Sequence, residues 1–439
     1  MPKQFEIQIE KIVQEGYGIS RDKGKVVFTP FVLPGEKVKV EIIEDKKDVA
    51  FAFPVEIIEK SGERIKPECP YFGECGGCHF QMANYNYQLK IKEEVVRDAF
   101  YHNAKIKEIP LESAIPSPEI FYYRTRAHFP LKRIKGKVYA GFYKRESHYL
   151  ISIEECPIQK KIIIDHMLKI KDILQEERIT IYDEVKDFGR LRYLSIKTNK
   201  NESEVLITFV TRNRGFPKSI VKRVEELERI TGVVENVNPK KGNVILGEEE
   251  RILSGRNYIF EHIGDLTFRV SSRSFFQVNP SILPILLEKM EEEIKGYNTL
   301  IDLYGGVGLF GFYFSKFFKK VYVVEINDSS IKDALYNQKI NDLFNVDIIR
   351  EDAGNALKSL KGEVLILDPP RKGIDENVIE GIERVKPEKI IYLSCFPPSI
   401  ARDSKILISK GYALKRVIPF DFFPQTYHVE ILCVFDKKD

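Results

Sequence analysis

The sequence TLIDLYGGVGLFGFYFSKFF, residues 299–318, contains an apolar run, a group of glycines and a second apolar run. Its apolar beginning, Thr299 to Tyr304, predicts a strand, and its end, Leu309 to Phe318, predicts a helix. Between them the glycines of Gly305-Gly306-Val307-Gly308 predict a tight turn, which lets a ligand approach the backbone closely. The stretch therefore indicates the first strand, turn and helix of a ligand-binding α/β sheet.

Strands and helices keep alternating beyond this stretch. Further strands are predicted at Val321 to Glu325, Val346 to Arg350, Val364 to Leu367 and Ile390 to Leu393, with a helix at Ile331 to Ile340. This alternation favours a parallel, doubly wound sheet of the Rossmann-like α/β class. Glu325, at the tip of the second strand, can accept hydrogen bonds from the two ribose hydroxyls of an adenosine. The G-G-x-G spacing disfavours a dinucleotide as the ligand, but the turn alone does not distinguish NAD from S-adenosylmethionine.

One cysteine, Cys395, directly follows the last of these predicted strands and precedes Pro397 and Pro398. A thiol at the C-terminal tip of a strand, near the N–H dipoles of the next helix, lies in an environment that activates a nucleophile. The alternative is an inert core cysteine, because free cysteine is among the most buried residue types.

The neighbouring strand end, Asp368-Pro369-Pro370-Arg371, bears on the atom that is modified. Methyltransferases that act on amino nitrogens use a related acid-Pro-Pro-aromatic tip, but Arg371 stands in place of the aromatic residue. A thiol at the next tip favours a carbon target instead. Uracil C5 becomes a nucleophile only after a thiolate adds at C6, and a base must later remove the C5 proton. Glu430, in His428-Val429-Glu430, is the candidate base.

Four of the six cysteines have a spacing that suits a metal cluster. Cys69, Cys75 and Cys78 form a C-x5-C-x2-C motif with two glycines in its turn, and Cys156 follows much later before a proline. Four thiolates of this kind predict a [4Fe–4S] cluster. Structural zinc is the alternative, although the x5 gap fits its usual spacing less well. Cys433 lies in an apolar run and is interpreted as a core residue.

The regions before residue 271 have patterns of their own. Residues 1–60 alternate with period two between turn signals, which predicts a small OB-like β-barrel of the kind that often binds oligonucleotides. Residues 61–270 are predicted to form a mixed α+β domain, with helices at Tyr85 to Tyr101, Asp165 to Gln175 and Lys218 to Ile230. Basic and aromatic residues interleave between Phe121 and His148, which favours nucleic-acid contact over a merely solvated strand pair.

Composition limits the remaining possibilities. A chain of 439 residues suggests about three domains, and 43% hydrophobic with 31% charged residues is typical of a globular protein. No apolar run reaches the roughly 18 residues of a membrane span, and the N-terminus lacks the apolar core of a signal peptide. We therefore expect a cytoplasmic monomer that does not associate with membranes.

Several motifs, taken together and in this order, resemble the RNA uracil-C5 methyltransferase family, specifically its iron–sulfur type that acts on 23S ribosomal RNA. The resemblance covers essentially the whole length. It is carried by SFFQVN at 274–279, DLYGG at 302–306, DPPRKG at 368–373, Ser394-Cys395, Ala401-Arg402-Asp403 and QTYHVE at 425–430.

The resemblance implies a role for each motif. Residues 1–60 would form a TRAM domain, residues 61–270 a central domain with the cluster, and residues 271–439 the catalytic domain; the Tyr85 helix could pack on the catalytic domain. Cys395 would be the nucleophile and Glu430 the base. S-adenosylmethionine would be bound by Gln277, Tyr304, Glu325 and Asp368. The [4Fe–4S] cluster would be held by Cys69, Cys75, Cys78 and Cys156.

The product implied is 5-methyluridine in RNA, with 23S rRNA as the expected partner and uridine 54 of tRNA as the alternative. A non-catalytic RNA-binding factor on the same fold is a second alternative, and a cytosine-C5 or amino-nitrogen methyltransferase a third. The sequence departs from the family pattern twice. Gly305 stands where the family usually has cysteine, and Phe396, beside Cys395, stands where it usually has asparagine. Because Phe396 adjoins the nucleophile, the hydrogen bonding near the target base that the resemblance implies does not carry over to this position.

Overall fold

The computed structural model describes residues 4–438, which form two compact units. The first unit contains the chain up to Ser117 together with Pro370–Gly373 and Leu393–Cys433. The second contains Pro118–Pro369, Ile374–Tyr392 and the chain from Val434 onward. Both units draw on segments that are far apart in sequence, so the division into three consecutive domains at residues 60 and 270 stays a prediction.

The N-terminal part of the first unit is a six-stranded sheet with the order β1-β5-β6-β4-β3-β2. Its strands alternate as the sequence predicts, because Val38 and Val40 are buried while the lysines beside them are not. All neighbours are antiparallel except β4 and β6. The strands are β1 (Gln4–Gln8), β2 (Lys11–Ile12), β3 (Tyr17–Asp22), β4 (Lys25–Pro30), β5 (Lys37–Asp45) and β6 (Val49–Glu59).

A long helix, α1 (Tyr85–Ala99), follows the cysteine loop in the same unit. The side chain of Asn84 caps it by accepting a hydrogen bond from the backbone N–H of Asn86 at 3.0 Å. Ile91 and Val95 pack with residues of the β2–β5 region and of the cysteine loop, among them Leu33, Phe80 and Met82. The helix ends in one wider turn, Phe100–Ala104.

The second unit begins with a seven-stranded mixed sheet with the order β13-β12-β11-β10-β7-β8-β9, followed by a separate hairpin of β14 and β15. The elements are β7 (Arg126–Ile134), β8 (Lys137–Tyr143), β9 (Leu150–Ser152), α2 (Lys161–Glu176), β10 (Leu191–Thr198), β11 (Val205–Thr211), α3 (Lys218–Glu225), β12 (Ile230–Val237), β13 (Glu249–Gly255), β14 (Tyr258–Ile263) and β15 (Leu266–Ser271). The helix predicted at Lys218 to Ile230 is too long. Arg229 adopts a left-handed backbone with φ of 60°, and Ile230 begins a strand parallel to β11.

A second seven-stranded sheet has the order β18-β17-β16-β19-β20-β22-β21. The five strands from β18 to β20 are paired in parallel, which confirms the predicted parallel α/β sheet. The elements are α4 (Leu283–Ile294), β16 (Thr299–Leu303), α5 (Leu309–Phe314), β17 (Lys320–Glu325), α6 (Asp328–Ile340), β18 (Val346–Arg350), α7 (Ala353–Ala356), β19 (Val364–Leu367), α8 (Glu376–Val385), β20 (Lys389–Ser394), α9 (Pro397–Ser409), β21 (Tyr412–Phe420) and β22 (Glu430–Lys437). Across residues 4–438, no helix is both long and apolar enough to cross a membrane.

The interior of the first unit contains an ion pair that the helix periodicity does not predict. Lys92 on α1 is 1% exposed, and its ammonium donates to Asp421 Oδ1 at 2.5 Å and to the carbonyl of Phe423 at 3.1 Å. Burial lowers the pKa of Lys92, and the charge of Asp421 opposes that shift. In the described part of the chain, the second oxygen of Asp421 is buried without a hydrogen-bond partner. The carboxylate therefore depends on Lys92.

Replacing Lys92 by methionine is expected to destabilise the protein by about 3–5 kcal/mol, because it leaves a buried carboxylate without a counter-charge. Denaturant unfolding of the parent and the variant measures the loss. The control is the double variant Lys92→Met/Asp421→Leu, which removes both charges and should recover most of that stability. A Lys92→Met protein as stable as the parent would show that the pair does not matter.

Candidate active site

The glycine turn after β16 has a backbone that few side chains could adopt. Tyr304 has φ of 61° and Gly308 φ of 95°, both left-handed. The N–H of Gly305 donates to the carbonyl of Val324 at 3.0 Å, which draws the turn against β17. A Cβ at Gly305 would lie 2.5 Å from the side chain of Val323. A side chain at this position would therefore require Val323 to move.

Glu325, the last residue of β17, is fixed beside that turn. Its carboxylate accepts hydrogen bonds from the backbone N–H of Gly306 at 2.9 Å and of Ile326 and Asn327 at 2.7 Å each. A carboxylate has about four lone-pair positions, so the three backbone donors orient it without using all of them. The structure thus places Glu325 and the glycine turn together, as the sequence predicted.

Two further carboxyl groups lie at the ends of neighbouring strands. Asp302, on β16, is fully buried; its Oδ2 accepts from the N–H of Gly311 at 2.8 Å. Burial, and to a smaller extent the charges of Asp368 and Glu325, raise the pKa of Asp302 to about 8. Asp368 follows β19 directly, and burial raises its pKa to about 7. Carboxyl groups held in this way favour a cationic ligand, because a positive charge would offset the cost of ionising them.

Gln277 lies on a segment whose anchor the sequence did not reveal. The carboxylate of Asp333, on α6, accepts from the N–H and Oγ of Ser271 at 2.7 Å each and from Ser274 Oγ at 2.6 Å. Arg269 also lies 2.9 Å from it. Gln277 itself is 6% exposed and lines a cavity of about 10 Å³, near the least volume that holds one water molecule. The sequence feature that could have revealed this anchor is the polar face of α6, where Ser330, Asp333 and Asn337 are all buried.

Asp352, which follows β18 in the same sheet, acts as a helix cap. Its side chain accepts from the backbone N–H of Gly354 at 3.0 Å and of Asn355 at 3.3 Å, at the start of α7. These two bonds satisfy the first turn of that helix. Capping therefore accounts for this aspartate.

Part of the basic stretch between residues 121 and 148 points inward. Arg126 donates to the carbonyl of Ser272 at 3.3 Å, and burial lowers its pKa to about 10. Burial and the charges of Arg126, Lys197 and Arg124 lower the pKa of His128 to about 3, so this histidine is neutral at neutral pH. Exposed lysines of the stretch, such as Lys135, remain the candidates for phosphate contact.

The candidate nucleophile, Cys395, lies one residue after β20 and two residues before α9, in the first unit. It is partly exposed, unlike Cys433, which is fully buried. Phe396 beside it lies under Arg371, whose guanidinium carbon is 5.0 Å from the ring centroid. The residue that departs from the family pattern thus makes a cation–π contact with the Asp-Pro-Pro-Arg motif.

The candidate base, Glu430, is the first residue of β22, is 5% exposed and also belongs to the first unit. Gln277, Tyr304, Glu325 and Asp368 belong to the second unit. The structure therefore groups the two predicted catalytic residues in one unit and the four predicted donor-binding residues in the other. Their individual roles stay predictions.

The predicted cluster ligands are divided between the two units in the chain. Cys69, Cys75 and Cys78 share the loop before α1, whereas Cys156 belongs to the second unit. Burial and, to a smaller extent, the charge of Cys69 raise the pKa of Cys75, and the N–H of Gly77 lies 3.4 Å from its Sγ. Thiols are suitable iron ligands. Over residues 4–438, however, no three Cys, His, Asp or Glu side chains are grouped as a metal ion requires, so the structure does not bear out the predicted cluster.

Comparisons with known proteins agree on the nature of the chain. A family model described as tRNA (Uracil-5-)-methyltransferase matches residues 84–438. A model of the TRAM domain matches residues 3–55. Together they span nearly the whole sequence and confirm the predicted N-terminal TRAM domain.

Individual relatives match over almost their full length. Uncharacterized RNA methyltransferases of Halalkalibacterium halodurans and Synechocystis sp. are each 35% identical; the alignments cover 99% and 97% of this chain and 97% and 94% of those relatives. The solved tRNA (uracil-54, C5)-methyltransferase of Pyrococcus abyssi, in complex with S-adenosyl-L-homocysteine, is 28% identical. It superimposes with a TM-score of 0.78 over 98% of this chain and 99% of that one.

These matches confirm an RNA methyltransferase with a mixed α/β, S-adenosylmethionine-dependent fold. The parallel sheet, the glycine turn and the acid at the end of β17 are the parts of that fold which the sequence predicted. The chain belongs to the tRNA (uracil-5-)-methyltransferase family, whose members methylate C5 of uridine in RNA.

Proposed function

We propose that this enzyme makes 5-methyluridine through a covalent adduct between Cys395 and the uracil ring. The Cys395 thiolate adds to C6, and the resulting C5 enolate attacks the methyl group of the donor sulfonium, which leaves as S-adenosylhomocysteine. Glu430 then removes the C5 proton, the C5–C6 double bond forms again, and the thiolate is expelled. The target base must leave its stack to be reached.

The observation that carries this proposal is the position of Cys395 in the chain. β19 and β20 are neighbouring parallel strands whose last register pair is Leu367 with Tyr392. Asp368 comes one residue after that pair and Cys395 three residues after it. Ligands of open α/β sheets bind at the carboxyl ends of their strands, so the topology supports a functional thiol at the end of β20.

We assign the donor site to Gln277, Tyr304, Glu325 and Asp368. The carboxylate of Glu325, oriented by three backbone N–H groups, suits the ribose hydroxyls of the donor. Asp368, with Asp302 buried on the adjacent strand, suits the positive sulfonium.

The affinity for S-adenosylmethionine is expected to fall about tenfold between pH 8 and pH 6. Asp368 has a pKa of about 7, so it is mostly neutral below that pH, and a cationic ligand prefers its ionised form. Isothermal titration at constant ionic strength measures the affinity. The Asp368→Asn variant should show a smaller pH dependence than the parent, because Asp302, with its pKa raised to about 8, still titrates in this range. S-adenosylhomocysteine, whose sulfur is uncharged, should show a smaller pH dependence than S-adenosylmethionine. Equal slopes for parent and variant would contradict the role of Asp368.

The RNA substrate has two candidates, and we propose 23S rRNA as the first. The choice of 23S rRNA rests on the combination of a TRAM domain with the C-x5-C-x2-C loop. Uridine 54 of tRNA is the second, favoured by the likeness to the Pyrococcus abyssi tRNA enzyme along the whole chain.

Incubation of the protein with labelled donor and transcripts of each RNA tests both candidates. Mass spectrometry then locates 5-methyluridine, and transcripts with the target uridine changed to cytidine serve as controls. Methylation of 23S rRNA transcripts alone would establish the first candidate. Methylation of tRNA that is lost when uridine 54 is changed to cytidine would establish the second. Methylation of neither RNA would overturn the proposal.

We further propose that Cys69, Cys75, Cys78 and Cys156 bind a [4Fe–4S] cluster, supported by their spacing and by the proximity of two thiols in one loop. Protein purified without oxygen should contain about four iron and four sulfide ions per chain. Cys75→Ser should lose them, whereas Cys433→Ser should retain them. Zinc in place of iron, or no metal at all, would overturn this assignment. A monomer in the cytoplasm stays our expectation.

A further inference from the structure

The loop between β21 and β22 leads directly into Glu430 and contains one unusual backbone conformation. Gln425 has φ of 71°, in the left-handed region that residues with a Cβ seldom adopt. A non-glycine residue in that region is strained and persists only where its surroundings fix it. The contacts of Gln425 therefore show what shapes the loop before the base.

The first of these contacts comes from α1. Gln88 is 1% exposed, and its Oε1 accepts from the backbone N–H of Gln425 at 3.1 Å. Its Nε2 donates to Gln425 Oε1 at 2.9 Å and to the carbonyl of Ala83 at 3.0 Å. One buried amide thus binds both the main chain and the side chain of Gln425.

The second contact comes from the residues that follow Cys78. The backbone N–H groups of His79 and Phe80 both donate to the carbonyl of Gln425, at 2.8 and 3.0 Å. The His79 ring meets the Tyr427 ring edge to face, with centroids 4.6 Å apart. The end of the cysteine loop is therefore bonded to the loop of the base.

A third contact fixes the beginning of the same loop. Lys92, one turn after Gln88 on α1, pairs with Asp421 and donates to the carbonyl of Phe423. The loop is consequently held at its start and at its left-handed residue, both times by the same face of one helix. All of these residues belong to the first unit.

We propose that Gln88 and the His79–Phe80 backbone hold Gln425 in its left-handed conformation, and that Gln425 is thereby a positioning residue for Glu430. The inference rests on the proposed role of Glu430 as the base. Glu430 acts only in the elimination step, after the methyl group has been transferred. Loss of the Gln88–Gln425 pair therefore slows proton removal from C5 and leaves thiol addition and methyl transfer unchanged. A displacement of about 1 Å can cost 10²-fold in rate.

The test follows the elimination step itself. Gln88→Met keeps the volume of the side chain and removes its hydrogen bonds; Gln425→Gly relieves the backbone cost but loses the pair. In single turnovers, both should release methylated RNA about 10- to 100-fold more slowly and accumulate a covalent protein–RNA adduct on denaturing gels. RNA with deuterium at uracil C5 should show a larger isotope effect on release than with the parent enzyme. The value of kcat/KM should not change, because the slowed step follows methyl transfer.

The matched control is Gln175→Met on α2, which also removes a glutamine that bonds two backbone groups, those of Val138 and Gly136. It should release product at the parent rate.

Slower turnover of Gln88→Met and Gln425→Gly without adduct and without an isotope effect would overturn the inference, as would parent-like release. If Glu430→Gln traps the adduct and these two variants do not, only the positioning role fails. If Glu430→Gln turns over normally, the base assignment fails and the inference fails with it.

Discussion

Cys395→Ala is expected to lower methyl transfer by about 10⁴-fold or more, which is of the order seen when other enzymes lose a catalytic nucleophile. Uracil C5 is too weak a nucleophile to attack a methyl sulfonium until a thiolate has added at C6. Without the thiol, no later step can begin. The measurement is the transfer of labelled methyl from S-adenosylmethionine to RNA, with donor binding checked separately by titration.

The matched control for this experiment is Cys433→Ala. Cys433 is fully buried in β22, and burial raises the pKa of its thiol, so it is inert as a nucleophile. Its removal should leave turnover near the parent value. Full activity of the Cys395→Ala variant would exclude the covalent mechanism, whatever the behaviour of Cys433.

Glu430→Gln is expected to act in the opposite sense, because it traps an intermediate instead of preventing one. The amide is nearly the same shape as the carboxylate, so addition and methylation still proceed, but the amide cannot accept the C5 proton. Release of product should slow by about 10²- to 10⁴-fold, the usual contribution of a general base. The trapped species should migrate as protein plus RNA on denaturing gels, and its mass should include one added methyl group.

A second variant identifies the bond in that adduct. Cys395→Ala/Glu430→Gln lacks the thiol and should give no covalent species with the same RNA. An adduct in the double variant would mean that another residue attacks the ring. Rapid turnover of Glu430→Gln without any adduct would assign proton removal to a different group.

The parts of the fold that the sequence predicted depend on local patterns. The bounds of β18 and β19 agree with the prediction because each is a short apolar run between turn signals. The overlong helix at Lys218 to Ile230 shows the limit of this approach. Its charged residues have good helix propensity, but pairing of Ile230–Val237 with β11 ends the helix early. Tertiary pairing there overrides local preference.

In the candidate site, too, the features with a local sequence pattern could be predicted and the long-range contacts could not. Glu325 follows the glycine turn at a spacing that nucleotide-binding sheets share, so its position beside Gly306 could be predicted. The bonds of Gln88 to Gln425 and of Asp333 to Ser271 join segments far apart in the chain, through single polar side chains. Such bonds leave no periodic signal in the sequence. The spacing of the cysteines predicted a shared loop but not how closely their sulfur atoms approach.

The discontinuous composition of the first unit has a consequence during synthesis on the ribosome. Gln88 and its partner Gln425 are 337 residues apart, so at about 5–20 residues per second the helix α1 leaves the ribosome roughly 17–70 s before the segment that it binds. Through that interval Lys92 lacks Asp421, and the backbone beyond Cys78 lacks the carbonyl that will later hold it. The cysteine loop is thus translated early and enclosed late. Its thiols are open to metal delivery or to oxidation while most of the polypeptide is still being made.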